Sequence, residues 1–122
     1  MTVVAYSAMT HVALEAANKL AGQGIDAEVI DLRTLRPWDK PAVLESVRKT
    51  HRVVTVEECP PACGMGAELA ANIGEQAFDE LDAPIERVSG ADVPLPYARE
   101  LEQACIPHAE HVVAAVNRTL GR

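Results

Sequence analysis

Aromatic side chains are almost absent: one Trp, one Phe and two Tyr, 3% of the 122 residues. The core must therefore come from Val, Leu, Ile and Ala, in a chain that is 48% hydrophobic. That is enough for one domain with a real core and too short for two. Basic residues are also scarce, 11 against 18 acidic ones, for a net charge of -7. No basic footprint for nucleic acid is present, although the charge excludes nothing about small anions. No apolar run approaches the roughly 18 residues of a membrane span. The opening MTVVAYSAMTH lacks a basic n-region and a long apolar h-region, which argues against a signal peptide. Three cysteines make no disulfide framework and fit a reducing compartment, so a cytoplasmic location is expected. A core-like strand follows Met1 directly, an abrupt start that leaves open a longer parent chain.

What is present is organised around Thr50–Leu69. The β-branched run Val53–Val56 ends at Glu57 and Glu58, a turn rich in proline and glycine spans Pro60–Gly66, and a helical pattern begins at Ala67. The run shows no polar alternation, as for a parallel strand covered on both faces. The same arrangement recurs along the chain. Thr2–Tyr6 reads as a strand, with Ser7 or Thr10 as cap for a helix over His11–Leu20 that Gly22 and Gly24 end. Ala27–Leu32 is the second strand, and Asp39 is the N-cap of a helix over Lys40–Lys49 with Pro41 in its first turn. A third strand over His51–Glu57 and a helix over Gly66–Phe78 follow. Ile85–Val88 is the fourth strand, Val93–Tyr97 a proline-stiffened extended segment, Ala98–Gln103 a short helical turn, and the last helix runs from Pro107 to about Thr119. Right-handed crossovers and short connections make this an α/β fold, an open, mostly parallel three-layer α/β/α sandwich. The working surface of such sheets lies beyond the carboxyl ends of the strands, which brings forward Ser7–Thr10 and Glu57–Gly66.

The side chains there favour structure over chemistry. Gly64 and Gly66 open a helix after a strand, so their amides, with Ser7, form a possible anion site. The spacing falls short of a dinucleotide fingerprint, because Leu69 stands where a third small residue belongs. Either Glu57 or Glu58 must point inward, where it needs a partner. Asp31, Arg33 and Arg36 cluster after the second strand, suited to holding loops or a partner's carboxylates. Trp38 is either a lid over helix ends or an anchor in a subunit contact. Cys59 and Cys63, or Cys105 with His108, lack the further ligands a zinc site needs. His11, His51, His108 and His111 have no adjacent nucleophile with an orienting carboxylate. No catalytic, cofactor-binding or metal-ligating residue is assigned.

Three blocks occur in order and at fixed spacing: AEVIDLRTLRPWD at Ala27–Asp39, RVVTVEECPPACGMGAE at Arg52–Glu68, and SGADVPLPYA at Ser89–Ala98. Together they resemble the C-terminal domain of the beta subunit of thiamine-diphosphate-dependent 2-oxoacid dehydrogenases of the pyruvate dehydrogenase E1 type, in the transketolase superfamily. The likeness covers the whole chain as one domain, residues 1–122. It implies a strand order two-one-three-four and a fragment lacking the family's antiparallel edge strand, so that Ala27–Leu32 is an exposed edge. It places Ser7 and Glu58 together at the switch point. It also implies that thiamine diphosphate and Mg2+ belong to the parent enzyme and are bound outside this domain.

Its partners by the same likeness are an E1 alpha subunit, a second beta subunit and the lipoyl-bearing E2 component, with homodimerisation of the fragment through a bare face or edge. Arg33, Arg36, Trp38, Asp39, Glu57, Glu58, Glu68, Asp92 and Tyr97 then become interface or structural residues. The loop departs from the family at Cys59, where glycine is usual, and near Cys63. The expectation is a non-catalytic assembly domain. The alternatives are a stand-alone small-molecule or anion-binding module using the Ser7/Gly64–Gly66 crevice, and a small enzyme using Glu58 or Cys59.

Overall fold

A computed structural model describes all 122 residues. Strand β1 (Thr2–Ala5) leads into helix α1 (Met9–Ala21), β2 (Glu28–Asp31) into α2 (Lys40–Thr50), and β3 (Val53–Val56) into α3 (Met65–Ala77). Strand β4 (Glu86–Val88) is followed by an excursion carrying α4 (Arg99–Cys105), and α5 (Ala109–Thr119) closes the chain. All neighbouring strands are parallel, in the order β2-β1-β3-β4, as the resemblance implied. β2 is one edge of the sheet and β4 the other.

The period of two along each strand sorts the side chains between layers. Val3, Ala5, Val54 and Val56 pack with Met9, Ala13, Ala16 and Leu20 of α1 and with Val112 and Val116 of α5. Val4 and Val53 face the other way, against Val43 and Val47 of α2 and Leu69 and Ile73 of α3. Alanines along α1 and α5 let these two helices pack closely side by side over one face of the sheet. A polar seam crosses the second layer: Thr2 Oγ1 lies 2.6 Å from both Ser46 Oγ and Thr50 Oγ1, and Ser46 donates to Glu28 Oε2 at 2.9 Å. The Thr2 and Ser46 hydroxyls are thus paired as burial requires.

Asp39 caps α2 as expected, its Oδ1 accepting the Ala42 N–H at 3.1 Å, and Pro41 sits in the first turn. The expected cap of α1 is absent. Ala8 is the N-cap residue and no side chain bonds the helix terminus. Ser7 instead takes φ +54 in a sharp turn, and the Thr10 hydroxyl donates to Asp31 Oδ1 at 3.0 Å. Gly22 keeps a right-handed conformation, and the left-handed residue after α1 is Gly24, at φ +75. His51 is not in β3; at φ +60 it is the left-handed C-cap of α2.

Candidate functional site

The carboxyl ends of β1, β3 and β4 converge on one side chain. Glu57 follows β3 directly and keeps its alternation, sharing the inward face of Val53 and Thr55. It is 1% exposed. Oε2 accepts the Tyr6 hydroxyl at 3.1 Å and the Gly66 amide at 3.0 Å, while Oε1 accepts the Ser89 hydroxyl at 3.3 Å. The Arg87 guanidinium lies 3.9 Å from Oε1 and also donates to the Pro61 carbonyl. One carboxylate therefore ties β1, β4, the α3 N-terminus and the Glu58–Gly64 loop together. Burial is the main influence raising the Tyr6 phenol above its ordinary pKa, helped by the Cys59 thiol 3.8 Å away and by the Glu57 charge.

The glycines exist to admit this carboxylate. A Cβ at Gly64 or at Gly66 would meet Glu57 Oε1 at 2.6 Å. The anion at the α3 N-terminus is thus the chain's own, and an external one has neither the Gly66 donor nor the room. Thiamine diphosphate does not fit this helix terminus for the same reason. Ser7 is not brought to Gly64 or Gly66 either; it opens on a separate cavity of about 400 Å3 with Thr10, His11, Asp31 and Arg33. Asp31 there is already held by Thr10 and by Arg33 Nε at 2.6 Å. Glu58, expected beside Ser7 at the switch point, is exposed. Its backbone carbonyl serves the structure, lying so close to Gly90 that a Cβ there would meet it at 2.1 Å.

The remaining expected residues divide between the chain's own packing and open surface. Trp38 is 8% exposed, a lid in the layer of Leu32, Val43 and Leu69, with Lys40 Nζ 5.4 Å from its ring centroid. Glu68 accepts from Asn72 Nδ2 at 2.7 Å. Arg36 is exposed and makes no ion pair; with Trp38, Lys40 and Glu68 it lines a cavity of about 860 Å3. Asp92 is exposed, and Tyr97 stands free at 105% exposure, flanked by exposed Val93, Leu95 and Leu101. A second groove, of about 590 Å3, is lined by Phe78, Leu81, Pro84 and Ile85 together with Asp79 and Asp82. Tyr6, Arg87 and Ser89 were not singled out from the sequence. The alternation that sets Glu57 on the face of Thr55 was the signal that points to the first of the two glutamates.

The fold is thus a parallel α/β/α domain whose strand-end carboxylate is taken up by its own loops. Residues 1–112 match the family model for the transketolase C-terminal domain, and the chain belongs to that family. It is similar to pyruvate dehydrogenase E1 component subunits beta. With the mitochondrial beta-2 subunit of Oryza sativa subsp. japonica it is 48% identical over 122 residues, 100% of this chain and 32% of that subunit. With the mitochondrial beta-1 subunit of Arabidopsis thaliana it is 51% identical, over 100% of this chain and 34% of that one. The beta subunit of Rhizobium meliloti (strain 1021) is 51% identical over 115 residues, 94% of this chain and 25% of the relative. Among solved structures, a split gene transketolase in an inactive beta4 tetramer superposes with a TM-score of 0.83 at 37% identity, over 98% of this chain and 38% of that one.

The chain spans about a third of the length of the first of these relatives. The expected cytoplasmic location is overturned: the plant relatives are named as mitochondrial.

Proposed function

We propose that residues 1–122 form the single C-terminal domain of a longer 2-oxoacid dehydrogenase E1 beta subunit, and that the domain assembles the enzyme while the reaction proceeds elsewhere. The whole enzyme oxidatively decarboxylates pyruvate or a related 2-oxoacid and passes the acyl group to lipoamide, with thiamine diphosphate and Mg2+ held outside this chain. The observation that carries the reading is the use of Glu57, the one carboxylate buried at the strand ends, entirely for internal bonds. Support also comes from about 50% identity to E1 beta subunits along the full chain.

Two surfaces suit the contacts such a domain makes. The exposed Val93–Leu101 segment presents apolar side chains stiffened by Pro94 and Pro96, an anchor for an E1 alpha or second beta subunit. The Phe78 groove, apolar with Asp79 in its wall and Asp82 paired to Arg52, suits an apolar segment of an E2 component. Arg33, paired with Asp31, and Asp39, the cap of α2, hold the loop between β2 and α2, and Arg36 is left exposed for a partner's carboxylate.

Reconstitution tests the proposal. An alpha subunit and the remaining part of a beta subunit are expected to recover decarboxylation only when this chain is added. The chain by itself is expected to give no turnover of pyruvate and no heat with thiamine diphosphate and Mg2+. Turnover or cofactor binding by the isolated chain would overturn it.

A further inference from the structure

We propose that the cavity between β4, the end of α4 and α5 is a binding site for a small aliphatic carboxylate. It has a volume of about 370 Å3, and Arg87, Arg118, His111 and Ser89 are in its wall while no Asp or Glu is. In a chain of net charge -7, a concave surface whose only charged side chains are two arginines is a departure that needs an explanation.

The donors there are incompletely used. Arg118 gives Nε and Nη2 to a single oxygen, Glu86 Oε2, at 3.0 and 2.8 Å. Arg87 donates only to the Pro61 carbonyl and otherwise approaches Glu57 at 3.9 Å. Neither Nη1 donates to any group of the chain. His111 Nδ1 accepts the His108 N–H at 2.9 Å, so the neutral ring carries its proton on Nε2, a further donor. A guanidinium N–H makes charge-assisted bonds to a carboxylate, and the two Nη1 groups hold donors that no group of the chain uses. An oxyanion supplies what these groups lack.

The rest of the wall selects the body of the ligand. Ala91, Ala104, Ile106, Pro107 and Ala114 are small and aliphatic, so they accommodate a short hydrocarbon chain and offer no aromatic ring to stack on. A few convergent polar groups in an otherwise apolar cavity is the usual make-up of a small-molecule site. The place is distinct from the α3 N-terminus, where Glu57 occupies the donors.

Calorimetric titration of the full chain with sodium propionate tests this. The expected result is saturable heat, weakened by added chloride, with none from propanamide, which has the same shape without the charge. Arg118→Gln is expected to lower the affinity about tenfold by removing charge-assisted bonds. Ala114→Leu, which narrows the cavity and leaves every donor in place, is expected to abolish binding. No saturation with propionate, equal heat from propanamide, or inorganic phosphate binding where propionate does not, would each overturn the assignment. So would unchanged affinity in both variants.

Discussion

The Tyr6 hydroxyl donates to Glu57 Oε2 at 3.1 Å and joins the carboxyl ends of β1 and β3 through side chains where the sheet's backbone ladder has already stopped. The bond closes the switch point, the place where an open parallel sheet ordinarily leaves its crevice.

Removing either partner is expected to loosen that closure. Tyr6→Phe loses a hydrogen bond to a charged acceptor, and Glu57→Gln turns an amide N–H2 toward existing donors; each is expected to cost about 1–3 kcal/mol. Because the two share a network, the double variant is expected to cost less than the sum of the singles. Urea denaturation of the four proteins in a double-mutant cycle measures this, and strict additivity would contradict the network.

The same substitution at two positions of α3 is expected to have opposite signs. Gly66→Ala drives a methyl into Glu57, 2.6 Å away, and is expected to destabilise by about 1–3 kcal/mol. Gly74→Ala meets nothing within 4 Å and is expected to stabilise by about 0.5–1 kcal/mol through helix propensity. Thermal melts read both directly.

Asp39→Ala removes the only side-chain cap on the Ala42 amide. A loss of about 1 kcal/mol is expected, with Asp39→Asn or Asp39→Ser retaining most of the stability. Denaturant midpoints distinguish a cap from a residue that acts only through a partner chain.

Alkaline pH is expected to weaken the fold through Tyr6. Its phenol is raised in the folded state, chiefly by burial, so the neutral form is favoured there. The unfolded chain ionises first, near pH ~10. The contribution of Tyr6 is therefore fully present below that pH and is lost as pH rises toward the folded-state value. Comparison of stability–pH curves is expected to show this component missing from Tyr6→Phe.

Leu95→Ser and Tyr97→Ser remove exposed apolar surface. Their melting behaviour is expected to stay within about 0.5 kcal/mol of the parent, while recruitment into an E1 assembly falls sharply. Analytical ultracentrifugation with the partner subunits separates the two effects. Loss of stability without loss of assembly would place these side chains in the fold instead.

The uncharged runs Thr2–Ala5 and Val53–Val56, mostly β-branched and without polar alternation, were enough by themselves to declare buried parallel strands. The helical spacing of Ala13, Ala16 and Leu20, the Asp39 cap and the turn residues placed the elements between them for equally local reasons. Local pattern misled at Ser7 and Gly22, where the type of residue suits a cap but the path of the chain, set by helix-to-sheet packing, put the bend elsewhere.

What only the tertiary structure decided was the partner of each charge. Glu57 and Glu58 are adjacent and chemically alike; one is buried with three donors from positions 6, 66 and 89 and a guanidinium from position 87 nearby, and the other is left in solvent. Trp38 packs in the layer of Leu32, Val43 and Leu69, which the sequence around it does not show. Elements follow from short-range periodicity, which one strand or helix carries within itself. A site depends on side chains far apart in the chain, and their meeting is a property of the packed sheet.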